Sequence, residues 1–482
     1  MASASTSTGA AKPSNPVLRR TVTSTTVNDS ESSAAVSPSD SPRHSASSTS
    51  LSSMSSVDMG ASKADEYANL VDLNGNSFTP PDYTIKDIRD AIPKHCFERS
   101  AIRGWSYILR DMACLATTFY LFNTFNTPEY VPNVAARALL WALYTIPQGL
   151  FGTGLWVIAH ECGHGAFSAS KRINDATGWL LHSALFVPYF SWQISHSKHH
   201  KATGHMERDM VFVPRTREQY ANKVGHLIHE LSELTEETPI YTLSMLIGQQ
   251  LIGWPHYLIT NVTGHNFHER QREGRGKGKK NGLGGGVNHF DPSSPLYEQK
   301  DAKLIVLSDI GIALNAAVQI YLGNTFGWAN MAVWFWVPWL WVNHWLVAIT
   351  FLQHTDATLP HYTAEEWNYV RGAAATIDRD MGFVGRHLLH GIAETHVLHH
   401  YISSIPFYNA DEASDAIRPV MGKHYRADTE GALLGFIKAM YKSARTCQWV
   451  EPSADAQGAG KGILFFRNRN GRGTPPSKMQ AQ

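Results

Sequence analysis

Three short histidine clusters, set against long apolar runs, limit what this chain can become more than any other feature. The first, His160-Glu161-Cys162-Gly163-His164, closes an apolar run; the second is His196-Ser197-Lys198-His199-His200; the third, His396-Val397-Leu398-His399-His400, repeats the spacing of the second. On a helix, residues i and i+4 are separated by about 400° around the axis, so their rings lie within roughly 40° on one face. Rings at i, i+3 and i+4 fall within about 100° by the same geometry. Each cluster therefore presents two or three imidazoles to one point. Eight such rings exceed the four ligands of a tetrahedral zinc, of which a catalytic site takes about three from protein, so two metals are the natural count. Imidazole serves iron, copper and zinc alike, and an iron pair is the choice able to activate oxygen against an unactivated C–H bond.

The surroundings of the clusters are those of a membrane protein. Apolar runs extend over about Trp105–Phe125, Ala138–Ala159, Leu304–Leu322 and Met331–Leu352, and about 20 residues at ~1.5 Å each cross the ~30 Å hydrocarbon core of a bilayer. The mean hydropathy of −0.24 hides these runs because it averages them with polar segments. Aromatic residues make up 11% of the chain, with 14 Trp, and many sit in or beside the runs, where rings suit the bilayer interface. The uncharged connection Gly323–Asn330 reads as a lumenal turn, and the basic, Gly-rich 269–286 segment reads as cytosolic. Four crossings then put all three clusters on the cytosolic face with both termini. The stretch Trp179–Ile194 is too short and interrupted to cross and reads as interfacial or re-entrant. Residues 239–262, broken by Gln249, Gln250 and Gly253-Trp254-Pro255, read as a half-membrane hairpin. The expected fold is all-α: about four transmembrane helices, interfacial helices and a cytosolic histidine-rich cap.

Outside this domain, residues 1–80 are Ser/Thr-rich and read as a disordered cytosolic tail, the membrane domain as 81–445, and 446–482 as a flexible C-terminal tail. From Thr84 to Ile92 an amphipathic helix is expected, ending at Pro93. No signal peptide is visible in the first 60 residues, so insertion is expected to use an internal span. Four cysteines without paired spacing imply a reducing compartment and no disulfide framework, and a net charge of +1 excludes a nucleic-acid-binding surface of the usual basic kind.

His160-Glu161-Cys162-Gly163-His164 also fits the His-Glu-x-x-His zinc-protease motif, with the glutamate as general base. A protease site needs one further ligand, not six, and Gly163 weakens the helix that would carry it. A heme-binding or metal-transporting protein would place its histidines inside the spans. Glu161, Asp378 and Glu394 are candidates to accept N–H bonds from ligating imidazoles. His182 and His344 lie in apolar surroundings and need partners. The histidines at 205, 256, 265, 268, 289, 361, 387 and 390 fall outside the spacing rule and are expected to be hydrogen-bonding residues.

The clusters, their order, and the segments His160–Ser168, Ser191–His200, Ile349–Pro360 and Glu394–Ala410 resemble the membrane-bound fatty-acyl desaturases. The resemblance is nearest to the fungal delta-12 (oleate) desaturases of the endoplasmic reticulum and covers roughly residues 85–445. It implies a non-heme di-iron centre, ferrous when reduced, held by His160, His164, His196, His199, His200, His396, His399 and His400. A ninth ligand near the end of the last span is also implied, and His354 occupies that place. It further implies dioxygen as co-substrate, an oleoyl-phospholipid or oleoyl-CoA substrate and a linoleoyl product. The chain shows neither a His-Pro-Gly-Gly heme motif nor a nucleotide loop, so the resemblance implies cytochrome b5 and its NAD(P)H-dependent reductase as electron donors. The basic segment Arg270–Lys280 reads as a solvated loop, with docking of that acidic partner or of anionic lipid heads as the alternatives. An omega-3 or dual-specificity desaturase and a hydroxylase using the same irons are the neighbouring alternatives, an intramembrane zinc protease is the alternative from another class, and homo-oligomerisation is left open.

Overall fold

The computed structural model describes residues 67–220, 239–264 and 287–468, so the 1–66 tail, the basic segment 269–286 with His265 and His268, and residues 469–482 lie outside the described residues or at their edge. The fold is mostly helical with a few short strands. Thr84 starts the first helix, α1 (Ile85–Ala91), as a capping box: its hydroxyl accepts from the Asp87 N–H while the Asp87 carboxylate accepts from the Thr84 N–H. A one-turn 3₁₀ helix, Lys94–Phe97, follows the Pro93 stop.

Helix α2 (Ala101–Phe125) begins at the Ser100 cap, and α3 (Val134–His164) at Asn133, whose side chain accepts from the Ala136 N–H. Helix α3 is the hub, packed on α2 and on the later helices α4 (Lys171–Ala184) and α8 (Val337–His354). Its contact with α8 is close because Gly149 lacks a side chain: a Cβ there would stand 2.1 Å from the Trp341 Cβ. Helices α5 (Tyr189–His200), α6 (Pro239–Thr260) and α7 (Ala302–Phe326) complete the set before α8, which follows the short helix Trp328–Met331 and a π turn, Ala332–Trp336.

Two helices among the described residues are long and apolar enough to cross a membrane, Gln299–Phe326 and Trp328–His354. Large apolar side chains on α7, among them Val306, Ile310, Leu314 and Val318, are exposed, as a lipid-facing surface requires and a water-facing one disfavours. Helix α2 exposes Ile102, Leu109, Tyr120 and Leu121 in the same way, but also carries Arg103, Arg110 and Asp111. Asp111 is fully buried and is held by Arg110 at 2.7 Å and by His390 at 2.9 Å. The stretch Trp179–Ile194 forms parts of α4 and α5 joined by a turn, and neither helix is long enough to span.

Four expectations need correction. Residues 239–260 form one 22-residue helix, not a hairpin: Pro255 removes a single backbone bond, while Trp254, Tyr257 and Leu258 pack with Trp156, Val342 and Leu346 and hold the axis together. The C-terminal segment is folded through residue 468. Strands β4 (Trp449–Pro452) and β5 (Ile463–Arg467) pair antiparallel with each other, and β5 pairs with β1 (Pro360–Tyr362) in the order β1-β5-β4. A small parallel pair joins β2 (Asp378–Arg379) to β3 (Ala427–Asp428), so the fold is not purely α. The run Ile463-Leu464-Phe465-Phe466 is buried throughout, and Phe465 packs on Phe78 with ring centroids 5.1 Å apart. That same contact moves the N-terminal boundary from residue 80 to 67, because Leu70, Val71, Leu73 and Phe78 are core residues. Short helices α9 (Tyr369–Ala373), α10 (His396–Tyr401), α11 (Phe407–Met421) and α12 (Ala432–Thr446) build the cap.

Candidate metal centre

The first cluster occupies the last turn of α3, which runs on through Gly163 to His164 before Gly165 ends it in the left-handed region at φ 73°. Gly163 is a requirement of packing and not a break, since a Cβ there would lie 2.8 Å from the Trp192 ring. The second cluster is the last turn of α5, with Lys198 turned away to donate to the Leu296 carbonyl at 2.5 Å. His354 is the last residue of α8, and the third cluster is α10, buried along its whole length. Four helix ends thus meet, and all nine expected ligand residues come together.

They divide into two groups whose ligand atoms lie within 4.8 Å of one another: His160, His164, His196, His200 and His399 in one, and His199, His354 and His400 in the other. His396 adjoins the second, its Nε2 being 3.2 Å from that of His354. Within the first group the Nε2 atoms of His160 and His196 are 3.0 Å apart, those of His160 and His164 3.3 Å, and those of His196 and His200 3.1 Å. In the second, His199 and His354 approach to 3.3 Å. Nitrogens ~2.1 Å from a shared ion stand about 3.0 Å apart at right angles and about 3.4 Å apart at the tetrahedral angle, which matches these spacings. Imidazoles aimed at each other cannot all be satisfied by mutual hydrogen bonds, and the buried Nε2 atoms of His399 and His400 have no partner among the described residues. A divalent metal in each group accounts for both observations.

The electrostatics agree. Burial, reinforced by neighbouring imidazoles, holds His196, His200, His396, His399 and His400 well below the ordinary histidine range. They are neutral at physiological pH, the form that binds metal.

Two orienting residues carry no sequence signal. The Asp209 carboxylate accepts from His199 Nδ1 at 2.7 Å, and Thr203 Oγ1 lies 3.0 Å from His400 Nδ1. Both leave Nε2 to face the group. Of the three carboxylates expected to do this, Glu161 comes nearest, 3.5 Å from His160 Nδ1, with its other oxygen accepting from the Phe407 N–H. Asp378 instead accepts from the backbone N–H of Val397 and from the Tyr425 hydroxyl, so it clamps the α10 backbone and not a ring. Glu394 accepts from the Met381 N–H. Burial raises both carboxyls to about 7, against the lowering effect of those hydrogen bonds.

The other histidines are distributed outside the two groups. His182 faces the Trp156 carbonyl at 3.3 Å, His289 faces Ser195 and the Leu258 carbonyl, and His390 pairs with Asp111. His205 lies 2.8 Å from the Arg208 side chain and stacks obliquely on Trp367, while His361 packs edge-on to Phe466. Among the described residues His344 makes ring contacts with Trp341 and Trp345.

Comparison with known proteins follows the same outline. The model of the fatty acid desaturase family matches residues 136–432, and a second model, described as a domain of unknown function, matches residues 2–118. An oleate hydroxylase of Claviceps purpurea is 69% identical over 97% of this chain and 98% of its own. A delta-12 fatty acid desaturase of Mortierella alpina is 42% identical over 80% of this chain and 91% of its own, and a delta-12 oleate desaturase of Trichosanthes kirilowii 39% over 81% and 96%. The matched region runs from the start of the helix that carries the first cluster, through His354 and the third cluster, to the first residue of α12; the chain belongs to the fatty acid desaturase family.

Proposed function

We propose that this protein is an oxygen-dependent oleoyl desaturase that introduces a cis double bond at the delta-12 position to give a linoleoyl lipid. The convergence of eight imidazoles on two points, with His396 beside the second, carries the reading, joined to relatives named for oleate or for delta-12 chemistry. Iron held at the two points supplies the oxygen activation that removal of hydrogen from an unactivated methylene requires. The chain's own part is to fix the rings. Helices α3 and α5 deliver five imidazoles from two helix ends, α8 and α10 deliver the rest, and Asp209 and Thr203 hold the nitrogens of His199 and His400 that face away. Trp156 and Trp192 stack on His160 and His196 and keep water from that side. The zinc-protease reading falls with the family assignment: Glu161 is buried and engaged by Phe407 and His160, and is not free to act as a base.

On this reading α2, α3, α7 and α8 with its preceding turns are four spans, and parity places both termini and the histidine cap in the cytosol of the endoplasmic reticulum. Their lengths, 25 to 31 residues for α2, α3 and α7 and 27 for Trp328–His354, support the count. Electrons come from cytochrome b5 and its reductase, and the substrate is an oleoyl phospholipid or oleoyl-CoA. A glycosylation acceptor inserted at Gly327 is expected to be modified in microsomes and one inserted after Lys201 is not; the reverse pattern overturns the topology.

The name of the Claviceps relative favours a second reading, hydroxylation of the same oleoyl chain. Expression in a yeast that makes only monounsaturated acids, with fatty acids read by mass spectrometry, separates the two. Linoleate is expected, hydroxyoleate as the main product supports the second reading, and additional linolenate indicates dual specificity. Metal analysis is expected to give about two irons per chain, and a single zinc overturns the proposal.

A further inference from the structure

We infer that His95, Cys96 and Glu412 form a binding site for a zinc-class divalent cation, separate from the histidine centre, that ties the N-terminal segment to α11. The three ligand atoms lie within 4.8 Å of one another. His95 Nε2 is 2.9 Å from Glu412 Oε2 and 3.7 Å from Cys96 Sγ. Around a tetrahedral zinc, with bonds of about 2.0–2.1 Å to N and O and about 2.3 Å to S, such pairs stand roughly 3.3–3.6 Å apart. The His95–Glu412 and His95–Cys96 separations lie within about half an ångström of these values, and the Cys96–Glu412 pair is within 4.8 Å.

The donors come from two elements already fixed to each other. His95 and Cys96 lie in the 3₁₀ turn Lys94–Phe97, and Glu412 lies on α11. The Asn409 amide on α11 donates to the backbone carbonyls of His95, Cys96 and Glu98 at 3.3–3.5 Å, and Ile88, Cys96, Ala413 and Ile417 share one core. Cys96 is fully buried, while the side chains of His95 and Glu412 are each 57% exposed. The site thus has a dry sulfur wall, an entry path from solvent, and room for water as fourth ligand.

An imidazole–carboxylate pair this exposed gains little by itself. The Cys96 thiol, buried in the same core as Ile88, Ala413 and Ile417, adds a third donor that a cation can use. One neutral imidazole, one carboxylate and one thiolate balance a double positive charge. Burial and the Glu412 carboxylate hold the Cys96 thiol above its ordinary range, so in the cation-free protein it keeps its proton. Binding forms the metal–sulfur bond and releases that proton to solvent, with no change of oxidation state. Thiolate and imidazole together favour zinc over magnesium or calcium. The site also has a mechanical outlet, because α11 begins at Phe407, whose N–H holds Glu161 beside His160.

The test is a Co2+ titration of the full-length, iron-loaded protein in detergent, followed by absorbance. About one cobalt per chain is expected to bind with a thiolate-to-cobalt charge-transfer band and the intense visible bands of tetrahedral coordination. Cys96→Ser is expected to lose the charge-transfer band, and Glu412→Gln, a surface change that leaves the core intact, to weaken binding at least tenfold, both with unchanged iron content. Binding without the band, a band of equal strength in Cys96→Ser, or undiminished affinity in Glu412→Gln overturns the site.

Discussion

In the five-ring group His160 stacks on Trp156 and His196 on Trp192, and among the described residues the one carboxylate near a ring nitrogen is Glu161, at 3.5 Å. In the three-ring group His199 is held by Asp209 at 2.7 Å and His400 by Thr203 at 3.0 Å, and the backbone of α10 is held by Asp378. The supply of ligands explains the difference. Four of the five rings come in pairs from α3 and α5, one helical turn apart, so helix geometry and aromatic packing aim them. The three-ring group draws each ring from a different element, α5, α8 and α10, and no local geometry relates them. Hydrogen bonds do that work instead.

The strongest way to break this comparison is to remove one ring from each half. His354 is the only ligand candidate on α8, so His354→Ala is expected to abolish activity and to reduce iron from about two to about one per chain. His164→Ala leaves four rings in its group and is expected to retain more of its iron. Equal losses, measured by metal analysis of purified protein, would show that the two groups are not independent.

The orienting groups come next in size. Asp209→Asn keeps the shape but weakens the acceptor for His199, and a loss of about 10–100-fold in iron affinity is expected. Glu161→Gln, at a longer distance and with one oxygen committed to Phe407, is expected to lose less than about tenfold. If Glu161 proves as sensitive as Asp209 in a competitive chelator titration, packing is not what aims the five-ring half.

Packing itself is tested at Trp192, which is 4% exposed and fits against Gly163 and the rings of His160, His182 and His196. Trp192→Leu is expected to cost about 2 kcal/mol by leaving a cavity. Thermal unfolding in detergent reads that cost, and activity is expected to fall several-fold with iron content reduced in the five-ring half first.

What the sequence reveals follows the same division. The long helices, the α1 cap and the paired rings are legible because they depend on periodicity and spacing within a few residues. The partition into five and three is not, since it separates His399 from His400, neighbours in the chain, and joins each to partners that only tertiary packing brings near. His354 has no cluster spacing, and only the family resemblance points to it. Asp209 and Thr203 are unmarked polar residues after the second cluster. Strand β5 hides for a different reason: its four apolar residues stand between a glycine-rich turn and a polar end, and their partner, β1, lies about 100 residues earlier. Gly163, read from sequence as a weakness in a helix, is there because Trp192 needs its space.

The smallest expected effect is also the most discriminating. Thr203 Oγ1 serves two members of the three-ring group, lying 3.0 Å from His400 Nδ1 and donating to the His199 carbonyl at 2.8 Å. Thr203→Val keeps the β-branched shape and removes the hydroxyl, so the fold and the ring contact between His200 and His400, with centroids 4.2 Å apart, should persist. Valine removes both bonds, but the His199 carbonyl still accepts from the Ala202 N–H, so the net loss is the one to the buried imidazole, about 1 kcal/mol, which corresponds to a fall of roughly fivefold in turnover or iron affinity. Thr203→Ser, which keeps the hydroxyl, is expected to restore most of it. Rescue by serine but not by valine, with equal unfolding temperatures, assigns the effect to the hydrogen bond; a serine variant as poor as valine assigns it to packing and makes the two halves alike.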